Sequence, residues 1–266
     1  MSFVDMLRAE FKLEYNDVFR RKSVFISMLL YPYIFTAFTL LLAYAGGSPR
    51  IFEERFGVSP VIYLMTASYT LMSMLVSVDV LLWRPLFDEE NGTLIYIIAS
   101  PVNRLKYYLA LPFPRYVEVL ILGATSALPV YMYFYRLEGL VLGLLIISLI
   151  ALGSILMIPS AIFIAGLVHR VGESWRVLNI VRPALMILIG VYYPRFYMPL
   201  VGRVVSGVIP SAHIVEVIQA IVLNVNTDFY RLFAIAIALF ILYAPIGRWS
   251  ITSWEWKKVR EGVKIT

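Results

Sequence analysis

The chain has 266 residues, 61% hydrophobic and only 15% charged, with a mean hydropathy of +0.81 and a net charge of +6. Soluble domains average about 45–50% apolar and about 25% charged residues, and a soluble fold of this length could not hide so much apolar surface; a polytopic membrane protein is expected. Zero cysteine excludes disulfides and thiolate metal sites, the two histidines (His169 and His213) lie far apart, and the positive balance suits basic membrane-flanking loops better than the clustered face of a nucleic-acid binder.

Residues 1–22 are interrupted by Asp5, Glu10, Glu14 and Asp17 and contain no apolar core of the kind a cleaved signal peptide needs. At helical spacing Phe3, Leu7, Phe11, Tyr15 and Val18 share one face, and Asp5, Arg8, Lys12 and Asn16 another. That pattern predicts an amphipathic helix in the membrane interface, with Glu14 on its apolar side; a solvated helical tail is the alternative. Arg20-Arg21-Lys22 marks a boundary, and Ser23 to Ala45 is long enough for a first span, at about 20 residues per crossing. Gly46 to Ser59 reads as a polar loop and Pro60 to Trp83 as a second span.

Residues 84–115 are polar and rich in turn signals. Tyr116 to Tyr135 predicts a third span, and the turn Arg136–Glu138 is so short that it joins spans three and four in a tight hairpin. Gly139 to Val168 is the fourth span, with a bend expected at Pro159, and residues 169–182 form a short polar loop. An apolar segment from Pro183 to about Tyr193 is too short to cross alone. Residues 194–223 then carry Pro194, Pro199 and Pro210 among apolar residues. Together these predict a fifth span followed by short helices that re-enter, or lie along, the outer face; irregular backbone at that depth must be buried in protein or line a wet cavity. Phe229 to about Trp249 is the sixth span, and a basic tail follows. Of the 23 Lys and Arg, 17 fall in residues 1–23, 84–115, 169–182 and 248–266. The positive-inside rule then predicts six spans with both termini cytoplasmic.

Within 84–115 the ordered set Asp88, Glu90, Gly92, Thr93, Ser100, Pro101, Val102 and Arg104 stands out from an ordinary charged turn. Asn91-Gly92 supplies a chain reversal, because glycine accepts positive φ. Leu94 to Ala99 is predicted as a short helix, stopped before Pro101 and carrying Leu94, Ile97 and Ile98 on one side. Such an element suits docking into a groove of a moving partner. Asp79 and Glu118 are acids near the cytosolic ends of spans two and three. Pairing with Arg84 or Arg115 at interface depth is favoured over a proton or cation relay. Neither a Gly-x-x-x-x-Gly-Lys-Ser/Thr phosphate loop nor a His-Glu-x-x-His zinc motif occurs.

The order acid-x-acid-x-Gly-Thr, apolar stretch, Ser-Pro-Val-x-Arg resembles the cytosolic loop of the ABC-2 family of ABC-transporter permeases. A second stretch, Gly190 to Ala220, resembles that family's late segment: Gly190, Tyr193, Pro194, Pro199, Pro210 and Glu216 fit, whereas Gln219 stands where the family often has arginine. The resemblance covers nearly the whole chain and implies an all-α, six-span permease subunit of the cell membrane. It also implies a second permease subunit, identical or different, and two separate ABC ATPase subunits that carry the ATP and Mg, leaving this chain with no cofactor, no catalytic residue and no metal. On this resemblance Asp88, Glu90, Gly92, Thr93, Leu94, Ile97, Ile98, Pro101 and Arg104 belong to the ATPase-coupling loop. The late segment is an outer gate or an extracellular cap with no substrate role. Export of a drug, lipid or peptide is implied. A lipid-linked polysaccharide exporter, an ATP-independent carrier or channel, and an integral-membrane enzyme are the competing readings.

Overall fold

The protein is described by a computed structural model covering residues 3–46, 49–171 and 174–261, and among these every regular element is helical. The chain opens with α1 (Phe3–Glu14), which runs through a π turn at Tyr15–Phe19 into α2 (Lys22–Gly46). The stretch expected as a polar loop contains α3 (Pro49–Phe56), whose Phe52 ring packs 5.6 Å from Tyr63. Phe52 and Phe56, four apart on one face, give this short piece apolar surface to cover in part, which its charged residues obscure in sequence.

The axis of the molecule is α4 (Pro60–Glu90). Ser59 caps it by accepting from the Val61 amide, and Pro60 occupies the first turn, where a missing N–H costs nothing. At 1.5 Å per residue its 31 residues span about 46 Å, well beyond the roughly 30 Å hydrocarbon core of a bilayer. Its last turns therefore extend past any span it makes. Most of α4 is buried, because both hydrophobic clusters of the protein form around it.

Next come α5 (Leu94–Ala99), α6 (Arg104–Ala110) and α7 (Phe113–Leu122), then a π turn at Gly123–Ala127 and α8 (Leu128–Leu156). The hairpin expected at Arg136–Glu138 is present inside α8. Arg136 has φ 54° and ψ −128°, and a Cβ on Gly139 would lie 2.1 Å from the Tyr131 carbonyl oxygen. Residues eight apart in one straight helix are separated by about 12 Å, so the chain has folded back on itself. A non-glycine residue in that backbone region stores strain.

α9 (Ile158–Arg170) begins after a break at Met157, two residues before the expected bend at Pro159. α10 (Ser174–Leu188) starts nine residues before the predicted Pro183 and carries that proline inside it. Arg176 and Arg182 mark a helix face here, not a loop. At 15 residues α10 is about 22 Å long, short for a crossing. α11 (Leu200–Gly207) and α12 (Pro210–Val222) meet at 107°, and α13 (Phe229–Glu261) closes the described chain.

Among the described residues, α2, α4, the α6–α9 stretch and α13 are long and apolar enough to cross a membrane, and the bent pair α11–α12 qualifies only if taken as one span. α9 and α13 lie closest together: Gly166 faces Ser250, and Gly247 faces the Pro159 carbonyl oxygen. The basic segments of the sequence gather at one end of the bundle. There Arg84 meets Glu10 at 3.2 Å, Arg104 meets Glu255 at 2.8 Å, and Lys257 donates to the Arg170 carbonyl at 2.9 Å. Lys264 lies outside the described residues.

Candidate functional site: a clamped knob at the basic end

The end of α4 leads into the loop that the sequence singles out. Asn91 closes the helix, its side-chain amide donating to the Phe87 carbonyl at 2.8 Å, and Gly92 follows at φ +69°, a region that favours glycine. Asp88 is the hub. Its Oδ1 accepts from the Thr93 hydroxyl at 2.9 Å, and its Oδ2 accepts from Arg84 at 3.1 Å and from the Tyr107 hydroxyl at 3.4 Å. One buried carboxylate thus joins the end of α4, the start of α5 and α6.

Arg104 does the corresponding work at the far end of α5. Its guanidinium donates to the Ile98 carbonyl at 2.6 Å and to Glu255 of α13 at 2.8 Å, with longer bonds to Ser100 and to the Val102 carbonyl. Asn103 caps α6 by accepting from the Lys106 amide. Lys258 of α13 pairs with Glu89. A six-residue helix has almost no stability of its own in water, so these fixed ties are what hold α5 in place.

The helix at Leu94–Ala99 is where the sequence puts it, but its apolar side faces the other way from a docking surface. Leu94 is buried in the core, and Ile97 and Ile98 are half-buried, Ile98 packing on the same cluster. Docking of that side into a partner is therefore corrected: it anchors α5 to its own protein. Outward stand Ile95 and Tyr96, the latter 77% exposed, with Glu90 and Pro101 also exposed at the margins. The periodicity identified one side of a short helix without saying whether core or solvent lay against it.

The predicted apolar face of the N-terminal helix is only partly turned inward, with Phe3, Leu7 and Val18 covered and Glu14 on that side as expected. Phe11 and Tyr15 are exposed, whereas Phe3, Met6, Leu7, Glu10 and Glu14 turn inward. Arginines on the facing helices cause this: Arg84 takes Glu10, and the Arg115 guanidinium takes both Glu14 and Glu118, each at 2.9 Å. Glu14 thus sits partly shielded from water, with a second carboxyl on the same guanidinium. Burial first, and then hydrogen bonding and repulsion from Glu118, push the Glu14 carboxyl up to about 8, against the opposing pull of Arg115.

Because the Glu14 pKa is higher in the fold than in the unfolded chain, this carboxyl favours folding while it can keep its proton. That stability falls as pH rises from about 4.5 through about 8. Docking of α1 is expected to be tighter at pH 6 than at pH 9, read by hydrogen exchange of the α1 amides. Glu14→Gln should flatten the difference; an unchanged pH response in that variant contradicts the assignment.

Of the two span acids, Glu118 pairs with Arg115 as expected. Asp79 instead receives Arg182 of α10 at 2.8 Å, because Arg84 is drawn to Glu10 and Asp88.

At the opposite end, Gly190 turns the chain at φ +73° after α10, and the Gln219 amide donates to the Gly190 and Val191 carbonyls at 2.8 and 3.0 Å. Gln219 thus does a neutral job where a charge was looked for. Glu216 is paired instead by Arg195 at 2.8 Å, and Arg195 also reaches Ser206 and His213. Tyr193 donates to the Ile187 carbonyl, Pro194 precedes the 3-10 turn Arg195–Tyr197, and Pro199 and Pro210 open α11 and α12. Tyr193, Glu216 and Gln219 brace a compact cap, with Arg195, Ser206 and His213 as members that the sequence reading missed.

Comparison of the chain with protein-family models, curated proteins and solved structures gives no match. The fold itself defines an all-helical protein with several long apolar helices that could span a membrane, closed at its basic end by a rigid charged frame.

Proposed function

We propose that this chain is the membrane-spanning subunit of an ABC transporter of the ABC-2 type, crossing the cell membrane six times with both termini cytoplasmic. In this reading α10 is the fifth crossing, and α11–α12 re-enter from the outer side. Two permease subunits stand together above two ABC ATPase subunits. ATP hydrolysis on those partners drives export of a drug, lipid or peptide between the permeases, and this chain has no enzymatic role. The observation that carries the reading is α5: a short helix tied at both ends by Asp88 and Arg104, with Ile95 and Tyr96 projecting from the basic end. An element that transmits motion must be stiff and must offer an apolar tip, and α5 is both.

The test is co-expression with a candidate ABC ATPase encoded beside this chain, reading co-purification and ATP hydrolysis. Ile95→Asp/Tyr96→Asp changes only the exposed side, so the thermal midpoint of the chain should hold while ATPase retention drops at least tenfold. A complex of unaltered yield and hydrolysis rate in that variant would overturn the coupling role, and an ATP-independent carrier would then be the better reading.

A further inference from the structure

The outer face of α13 at the basic end carries a groove of about 1150 Å³ that the coupling loop does not use. Its floor is Arg248, Trp249, Trp256, Lys257 and Arg260, with Leu105 of α6 as its edge. Trp249 and Trp256 are about 60% exposed and two turns apart, whereas Trp254 between them is fully buried. Tryptophans are enriched where a membrane meets water, and these two stand about 10 Å apart along the helix.

The groove is also net positive: Arg248, Lys257 and Arg260 line it against one carboxylate, Glu261. Arg170 places its guanidinium 5.0 Å from the Trp249 ring. Lys257 is engaged by Glu261 and the Arg170 carbonyl, but among the described residues Arg248 and Arg260 have no carboxylate partner. Further up the same helix stand the exposed apolar side chains Ile237, Ile241 and Leu242. Arg248 and Arg260 stand about 18 Å apart along α13, one on either side of the tryptophan pair, and the apolar side chains lie beyond Arg248, an order that matches the headgroup and tail of one molecule.

We infer that this groove binds an anionic membrane phospholipid, its phosphate at Arg248 beside Trp249, its negative charge attracted also by Arg260 at the far end of the groove, and an acyl chain lying along α13. The assignment needs only that the chain sits in a membrane, so it stands or falls apart from the ATPase reading. A basic residue near an anionic surface contributes about fivefold in affinity.

The experiment titrates brominated phosphatidylglycerol and brominated phosphatidylcholine into the detergent-purified full chain and follows tryptophan quenching. Phosphatidylglycerol should quench at a concentration at least fivefold lower. Trp249→Phe/Trp256→Phe should remove the sensitive component. Arg248→Gln/Arg260→Gln should bring the two lipids within twofold, while Arg8→Gln/Lys12→Gln, an exposed pair on α1, should leave the preference intact. Retained preference in Arg248→Gln/Arg260→Gln overturns the inference, as does equal loss in the α1 control, which would mean general charge attraction. The chain lacks cysteine, so Ser253→Cys provides a clean probe in membranes. Efficient disulfide formation between copies at that position would show that a second copy covers the groove, and would also overturn it.

Discussion

Replacing Arg104 by alanine is expected to cost roughly 3 kcal/mol, the scale for removing one partner of a buried ion pair. The Arg104 and Glu255 side chains are 15% and 6% exposed, so the variant strands a carboxylate with little access to water. The same change removes the donor to the Ile98 carbonyl and frees the far end of α5. The expected signature is a lower thermal midpoint together with fast hydrogen exchange over residues 94–99. Arg104→Met/Glu255→Met should recover most of the midpoint, because an apolar pair of similar volume leaves no unpaired charge. It should not recover slow exchange in α5, because the bond to Ile98 stays absent. A midpoint unaffected by Arg104→Ala contradicts the clamp.

Gly166→Leu is expected to be at least as damaging. A Cβ at that position would already lie 2.4 Å from the Ser250 hydroxyl and 2.6 Å from the Ser250 carbonyl carbon. Backbone cannot rotate out of the way as a side chain can, so α13 must separate from α9, and overpacking of this kind costs about 3 kcal/mol or more. The Ser250 hydroxyl bond to the Phe163 carbonyl at 3.0 Å is lost with it. Gly202→Ala is the control, since its Cβ would meet nothing nearer than 3.8 Å. Thermal midpoints in detergent should drop for the first variant and hold for the second; equal behaviour contradicts the close α9–α13 crossing. Because Glu255 and Lys257 lie beyond this crossing on α13, its opening should also loosen α5.

What could be read from the sequence follows from the range of the forces involved. The Asn91-Gly92 turn, the helix Leu94–Ala99 and the reversal at Arg136 are local, set by residues within a few positions, and each was legible. The clamp was legible only by half. Asp88, Thr93 and Arg104 lie close in sequence, but Glu10, Tyr107 and Glu255 complete the frame from as far as 151 residues away. A faint signal existed for Glu255, one of two acids, with Glu261, in a stretch otherwise rich in Lys and Arg. Phe11 and Tyr15 on α1 and the inward side of α5 were misjudged for a related reason. In a chain this apolar, hydrophobic residues face outward as readily as inward, and the placement of Glu10 and Glu14 depended on Arg84 and Arg115, not on their own helix.

The length of α4 has a mechanical consequence. It runs from Pro60 to Glu90, about 46 Å, with Pro85 inside its last turns and α5 fastened at its tip. A rod of that length acts as a lever: pivoting by about 5° about one end, it swings the other by about 4 Å. A displacement delivered at Tyr96 would meet one soft point on the way to the far side of the bundle, Pro85, whose missing N–H leaves the last turns of α4 able to bend.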